Sequence, residues 1–288
     1  MNRIINCLIN KDISYNPVWF MRQAGRHLPE FRKIRSRNKD FIKMCMNSEI
    51  STEITLQPLK RYKLDAAIIF SDILIVPSIL GQKVDFGGNK GPVLSTLNID
   101  RFKKNNENIF KAKLLPVYKS IKLTRKKLNN TKSLISFIGA PWTLLVYMFG
   151  LKTDKNTIDQ KKLSLKENDI KEIIPKLISY LCIHIEEQRN AGSDVVQIFD
   201  SWAGLIPNDK INELCYKPNK KIVDFCKEKK IPVICFPKGI KENYKTFTDI
   251  VRPNGISIDY DVNPNWAKEN LKDVCIQGGL DPKILFEE

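Results

Sequence analysis

The sequence predicts an α/β protein built on a parallel sheet, and three observations carry that prediction. Short apolar runs rich in β-branched residues recur along the 288 residues, separated by stretches with helical spacing of apolar positions. The runs are apolar at consecutive rather than alternate positions, which suits strands buried on both faces. Polar and glycine residues gather directly after the runs, at what would be the carboxyl ends of parallel strands, where α/β proteins place their sites.

Seven runs appear in order. VWFM (18–21) leads into Arg22, and AAIIF (66–70) leads into Ser71 and Asp72. LISFIG (134–139) is followed by Ala140, Pro141 and Trp142, and VVQIF (195–199) by Asp200, Ser201 and Trp202. PVICF (232–236) precedes Pro237, Lys238 and Gly239; GISID (255–259) ends at Asp259; VCIQG (274–278) opens into Gly279, Leu280 and Asp281. Plausible helices lie between them, including 168–191, left through Gly192. No GxGxxG phosphate turn follows a run, and candidate residues recur after nearly every one. A (β/α)8 TIM-type barrel therefore fits better than a doubly wound sheet. An eighth strand is not found, so residues 1–288 are expected to be a single barrel domain lacking its final strand and helix at the C-terminus.

Composition narrows the function classes. Hydrophobic content of 42% with 28% charged residues suits a folded globular chain rather than a disordered one. The seven cysteines, Cys7, Cys45, Cys182, Cys215, Cys226, Cys235 and Cys275, include no CxxC pair and read as reduced, packed thiols. Cys182 and His184 stand two apart on a helical stretch, which points them to different faces, and no second His or Cys cluster completes a metal site. No signal peptide is read at the N-terminus, and the longest apolar run, 66–80, contains Asp72 and Pro77 and is too short to span a bilayer. A cytoplasmic protein without a membrane partner is expected. The net charge of +16 resides largely in lysine-rich, asparagine-rich segments such as 101–113 and 124–133, poor in aromatics. These read as solvated faces rather than a nucleic-acid footprint, although their field would attract a polyanionic small molecule.

Asp72 is the sharpest single residue. A carboxylate inside AAIIFSDILIV costs several kcal/mol, roughly, to bury without partners. It is either a cap or salt-bridge partner at the sheet rim, or an acceptor aimed into a cavity for N–H donors or a developing cation. Arg22 and Arg26, on a turn containing Gly25, read as rim salt bridges or, better, as an anion site. Taken alone, Tyr147 reads as a core tyrosine, Ser201 as a helix cap, and Trp142 and Trp202 as pocket walls.

PVWFMRQAGRHLPEFR, LQPLKRYKLDAAIIFSDIL, FIGAPWTLLVYM, VQIFDSWAG and GGLDP, in that order, resemble the motifs of the uroporphyrinogen decarboxylase family, from about Pro17 to the end of the chain. The resemblance implies a (β/α)8 barrel, a homodimer, and cofactor-free loss of carbon dioxide from the four acetate side chains of uroporphyrinogen III, giving coproporphyrinogen III in haem synthesis. It also implies the site. Arg22, Gln23, Ala24, Gly25 and Arg26 match a substrate-binding loop, with Arg22 a candidate proton donor, and Asp72 matches the aspartate that receives the pyrrole N–H groups. Tyr147 and Ser201 match polar substrate contacts, and Phe41 a residue near the loop. The catalytic residues so implied are Asp72 and Arg22; no metal is implied. His27 stands where the family usually has tyrosine, and the family's final glycine-histidine strand has no counterpart here.

Other readings stay open at this level: an impaired product of a truncated gene, a corrinoid-linked methyltransferase of the same superfamily, or a basic non-catalytic nucleic-acid-binding protein.

Overall fold

The computed structural model describes residues 2–12, 14–86 and 91–286. Eight strands are present among them: β1 (Ala66–Ile68), β2 (Val84–Asp85), β3 (Val93–Leu94), β4 (Ser133–Gly139), β5 (Val195–Asp200), β6 (Val233–Pro237), β7 (Gly255–Ile258) and β8 (Cys275–Gly278). Six form one parallel sheet in the order β1-β4-β5-β6-β7-β8, while β2 and β3 make a separate antiparallel pair. Each step along the main sheet after β4 is to the next strand in sequence, with helical connections, the short-crossover arrangement that parallel pairing requires.

Consecutive apolar residues in the strands are explained by two separate buried clusters. Leu134, Ile138, Val196, Ile198, Val233, Cys235 and Ile256 belong to the main core, packed beneath the helices. Their sequence neighbours Ile135, Val195 and Ile234 join Ala66 and Ile68 in a second cluster on the other face, with Phe137 and Phe199 against it. The helix Arg3–Asn10, capped by the Asn2 side chain accepting from Ile5 N, inserts Ile4 and Leu8 into this second cluster. Burial of these two side chains contributes about 1.5–3 kcal/mol each.

The helix expected over 168–191 spans Glu167–Asn190, burying Ile170, Ile173, Leu177, Leu181 and Ile185 at helical spacing. His184 also lies on its buried side, 3.1 Å from the Tyr118 hydroxyl through Nδ1, and desolvation lowers its pKa to about 3. A neutral imidazole packed in the core is the result.

The six later runs expected as strands form β1 and β4 to β8, but VWFM does not form a strand. Residues 17–20 are extended and tied to the turn before β1: Asp65 N donates to Val18 O at 2.8 Å, and Val18 N donates to Asp65 Oδ2 at 2.8 Å. No ladder continues from these contacts. On the other side only a side chain reaches across, Trp19 Nε1 donating to Gln277 Oε1 of β8 at 3.2 Å. Because one short segment touches both ends of the sheet, the sheet is curled, with β1 and β8 brought towards one another. The observed architecture is thus a curled six-stranded parallel half-barrel rather than a sheet with VWFM as a seventh strand.

Candidate active site

The residues that follow β1, β4 and β5 gather at one end of the curled sheet. Asp72 lies in the turn after β1, where its Oδ1 accepts from Leu74 N at 2.8 Å and its backbone oxygen accepts from Ile75 N at 3.3 Å. This is the capping role that the sequence left open, but it occupies one oxygen. Oδ2 accepts no hydrogen bond among the described residues and is not sealed from solvent. Burial raises the Asp72 pKa to about 6, against the opposing pull of the Leu74 amide and of the Arg22 guanidinium. Gly139 at the end of β4 permits the turn to sit here: a Cβ on it would lie 2.8 Å from Leu144 Cδ2 and 3.1 Å from Ile73 Cβ.

Arg22 is exposed at the turn that ends the extended segment. Its charge acts on Asp72 and also on the Tyr147 hydroxyl, which Asp72 raises and Arg22 lowers, although burial is the largest influence on that tyrosine. Arg22, Asp72 and Tyr147 are therefore near enough for their charges to act on one another. Tyr147 sits in the last turn of the helix Pro141–Met148, started by Pro141 at its first position, and its ring meets Trp202 edge-on at 6.1 Å. Ser201 and Trp202 form the turn immediately after β5, both half-buried. Trp202 N donates to Thr143 Oγ1 at 3.2 Å, and Trp142 Nε1 donates to Trp202 O at 2.9 Å, so the indole is a fixed wall.

The remaining expected residues divide. Gln23 is buried and its amide serves the backbone, Nε2 donating to Ala66 O at 3.0 Å and Oε1 accepting from Phe20 N at 3.3 Å. Ala24 packs against the main core. Gly25 has no left-handed φ; its lack of a side chain instead makes room for His27, whose Nδ1 would lie 3.0 Å from an added Cβ. Arg26 is exposed and makes no ion pair or hydrogen bond among the described residues. Phe41 packs edge-on to Phe70 at 5.7 Å, and against Phe86 at 4.8 Å, supporting the end of the run that delivers Asp72.

Two groups escaped the sequence reading. Asp200, buried at the end of β5, accepts from Thr143 Oγ1 at 2.7 Å on one oxygen and from Asn219 Nδ2 at 3.2 Å and Cys215 Sγ at 3.5 Å on the other. It ties the helix Pro141–Met148 to the helix Lys217–Glu228 beneath Trp202, and burial raises its pKa to about 6. Gln197, Ser257 and Gln277 form a polar network within the curl, Gln277 Nε2 donating to Gln197 Oε1 at 3.0 Å and Ser257 Oγ at 2.7 Å. A polar residue between apolar neighbours in each of three strands was its signal.

Among the described residues no group of three or more His, Cys, Asp or Glu could hold a metal ion. Two concavities of about 620 and 800 Å³ lie away from this end of the sheet. The first is lined by Arg189 and Lys227, basic residues in the last turns of their helices, where they complement the helix carbonyls.

The profile of the uroporphyrinogen decarboxylase (URO-D) family matches residues 1–288. This chain belongs to the uroporphyrinogen decarboxylase family. It is 40% identical to the uroporphyrinogen decarboxylase of Orientia tsutsugamushi (strain Ikeda), covering 100% of this chain and 85% of that protein. It is likewise 40% identical to that of Rickettsia felis, over 99% of this chain and 83% of the relative, and to that of a Wolbachia species of Brugia malayi, over 93% and 77%. Among solved structures, a methyltransferase from Methanosarcina mazei shares the fold, with a TM-score of 0.62 over 95% of this chain and 90% of that chain. At 14% identity that likeness concerns the fold alone. Within the uroporphyrinogen decarboxylase family, then, Asp72, Arg22, Tyr147 and the Trp202 turn are the residues of this chain that converge.

Proposed function

We propose that the chain is a carboxy-lyase that removes carbon dioxide from the acetate side chains of uroporphyrinogen III to give coproporphyrinogen III, without a cofactor. The observation that carries this reading is a carboxylate, Asp72, held in a partly apolar rim with one oxygen unused, beside an exposed arginine turn. Family membership and relatives named for this activity support it.

The substrate is a flexible macrocycle with pyrrole N–H groups converging at its centre and carboxylates around its rim. Asp72 Oδ2 would accept central N–H groups, with charge-assisted hydrogen bonds of about 1.5–3 kcal/mol each. Arg22 and Arg26 would meet the rim, where guanidinium's planar fork suits carboxylates. Cleavage of the bond to the carboxylate leaves an electron pair that needs a sink. Protonation of the pyrrole ring supplies it; as carbon dioxide leaves, the pair neutralises the resulting cation, a proton is then added to the exocyclic carbon to complete the methyl group, and the ring proton is lost to restore the pyrrole. Asp72 would stabilise that cation while keeping its own charge. Tyr147 and Ser201 are assigned as polar contacts, Phe41 as support for the loop, and Gln23, Ala24 and Gly25 as the scaffold of the arginine turn.

The curled sheet supports a TIM-type barrel, and the family resemblance supports a cytoplasmic homodimer without nucleic acid as partner; a sedimentation mass of one chain would remove the dimer. Asp72→Asn should keep the fold and lose about 10²–10³-fold in rate. The test is anaerobic incubation of purified protein with uroporphyrinogen, measuring coproporphyrinogen. An unchanged rate in Asp72→Asn would remove Asp72 from the mechanism, and no product from the unaltered, folded protein would remove the function.

A further inference from the structure

A second cation stands on Trp202, contributed by a loop that none of the motifs covers. Lys152 Nζ lies 4.3 Å from the centroid of the Trp202 ring, close enough for a cation–π contact. The lysine is half-buried, and among the described residues no carboxylate pairs with it. Its loop is ordered by its own backbone: Leu151 N donates to Val146 O at 2.9 Å, Asp159 N to Leu151 O at 2.8 Å, and Lys152 forms an isolated antiparallel bridge with Ile158. A lysine so held has lost much of the freedom that makes surface lysines weak binders.

Its platform is also incomplete. Trp202 Nε1 is sealed from solvent beside the Tyr147 hydroxyl, without a hydrogen bond of ordinary geometry. Tyr147, whose ring meets Trp202, also feels the charges of Asp72 and Arg22. Ring contact thus links Tyr147 to Trp202 and Trp202 to Lys152, while Tyr147 is near enough to Asp72 and Arg22 to feel their charges. An ammonium over an indole face directs part of its N–H set at the ring and leaves the remaining donors for an anion.

We propose that Lys152, seated on Trp202, binds a peripheral carboxylate of the tetrapyrrole on the side of the macrocycle away from Arg22 and Arg26. This rests on the reading of the chain as a uroporphyrinogen-binding enzyme. It adds a binding residue particular to this loop and makes no claim on the chemistry at the pyrrole.

The test compares the unaltered protein with Lys152→Gln and Lys152→Arg. Binding is read by quenching of tryptophan fluorescence on titration with uroporphyrin, the oxidised macrocycle, which keeps every rim carboxylate but is not turned over. At low salt Lys152→Gln should bind about five- to tenfold more weakly, Lys152→Arg near the unaltered value, with the difference shrinking as salt rises. In anaerobic turnover, the Gln variant should raise KM by a similar factor and leave kcat near the unaltered value. A superimposable titration for Lys152→Gln would overturn the proposal. Equal weakening by Gln and Arg would also overturn it, because the lysine would then act only as a staple for its loop. If the unaltered protein binds with this dependence on Lys152 yet forms no coproporphyrinogen, the decarboxylase reading fails and the binding proposal stands. Absence of binding by the unaltered protein would overturn both.

Discussion

Asp72 shows how one side chain can meet a local and a chemical demand together. Its Oδ1 fixes the turn by accepting from Leu74 N, which leaves Oδ2 without a hydrogen bond among the described residues, in a carboxylate whose charge Arg22 and Tyr147 feel. The raised pKa has a kinetic consequence. Protonation below about pH 6 removes the charge that accepts pyrrole N–H groups, so kcat/KM should fall on the acid side with an inflection near pH 6. A pH–rate profile checks this, and Asp200→Asn should retain that limb because Asp200 lies beneath Trp202, bonded to Thr143 and Asn219. Asp200 matters instead for stability. Its folded-state pKa of about 6 exceeds the unfolded carboxylate value, so the folded protein binds the proton more tightly. The stability this adds is full below about pH 4 and is lost as pH rises through about 6, amounting to about 2–4 kcal/mol over the window. Asp200→Asn should flatten the rise in urea midpoint on going from pH 7 to pH 5.

At the scale of elements, the position of the arginine turn depends on a segment that is not a strand. Asp65 clamps it with both oxygens: Oδ1 accepts from Arg3 Nη1 at 2.9 Å and Oδ2 from Val18 N at 2.8 Å. Asp65→Ala leaves the Val18 amide and the Arg3 guanidinium without their acceptor. A loss of about 1–3 kcal/mol in chemical denaturation is expected, together with a raised KM as the turn loosens. At the end of β4, Gly139→Val would drive a side chain into Leu144 and Ile73 and displace the Asp72 turn. Its expected signature is a larger loss in kcat than in folding stability, read by comparing turnover with thermal unfolding.

For the whole molecule, a net charge of +16 and a polyanionic substrate make the encounter depend on salt. The KM for uroporphyrinogen should rise several-fold, roughly, as ionic strength is raised from 50 to 300 mM, because the Debye length contracts. Many individual lysines are engaged with surface carboxylates, as in Lys171 with Glu167 at 3.0 Å and Lys229 with Glu186 at 2.7 Å. They contribute little stability singly, so salt should alter KM more than it alters the unfolding midpoint.

Much of the fold was legible because burial on both faces writes itself into consecutive apolar residues, as in Leu134–Ile135 and Val195–Val196. Helix length between Glu167 and Asn190 was equally visible in periodicity. VWFM misled for a physical reason: it has strand composition, yet backbone pairing needs a neighbour in register, and among the described residues its long-range hydrogen bonds go to Asp65 and to the side chain of Gln277. The motifs indicated Asp72, Arg22, Tyr147 and Ser201, since each follows or flanks a recognisable run. That Gln23 serves the backbone of Ala66 and that Asp200 ties two helices together depends on who stands opposite, as does the seating of Lys152 on Trp202. The sequence by itself determined the alternation of strands and helices and the residues delivered to one end of the sheet. Only the tertiary structure decided how the sheet curls and which of those residues face one another, because both depend on contacts between segments far apart in the chain.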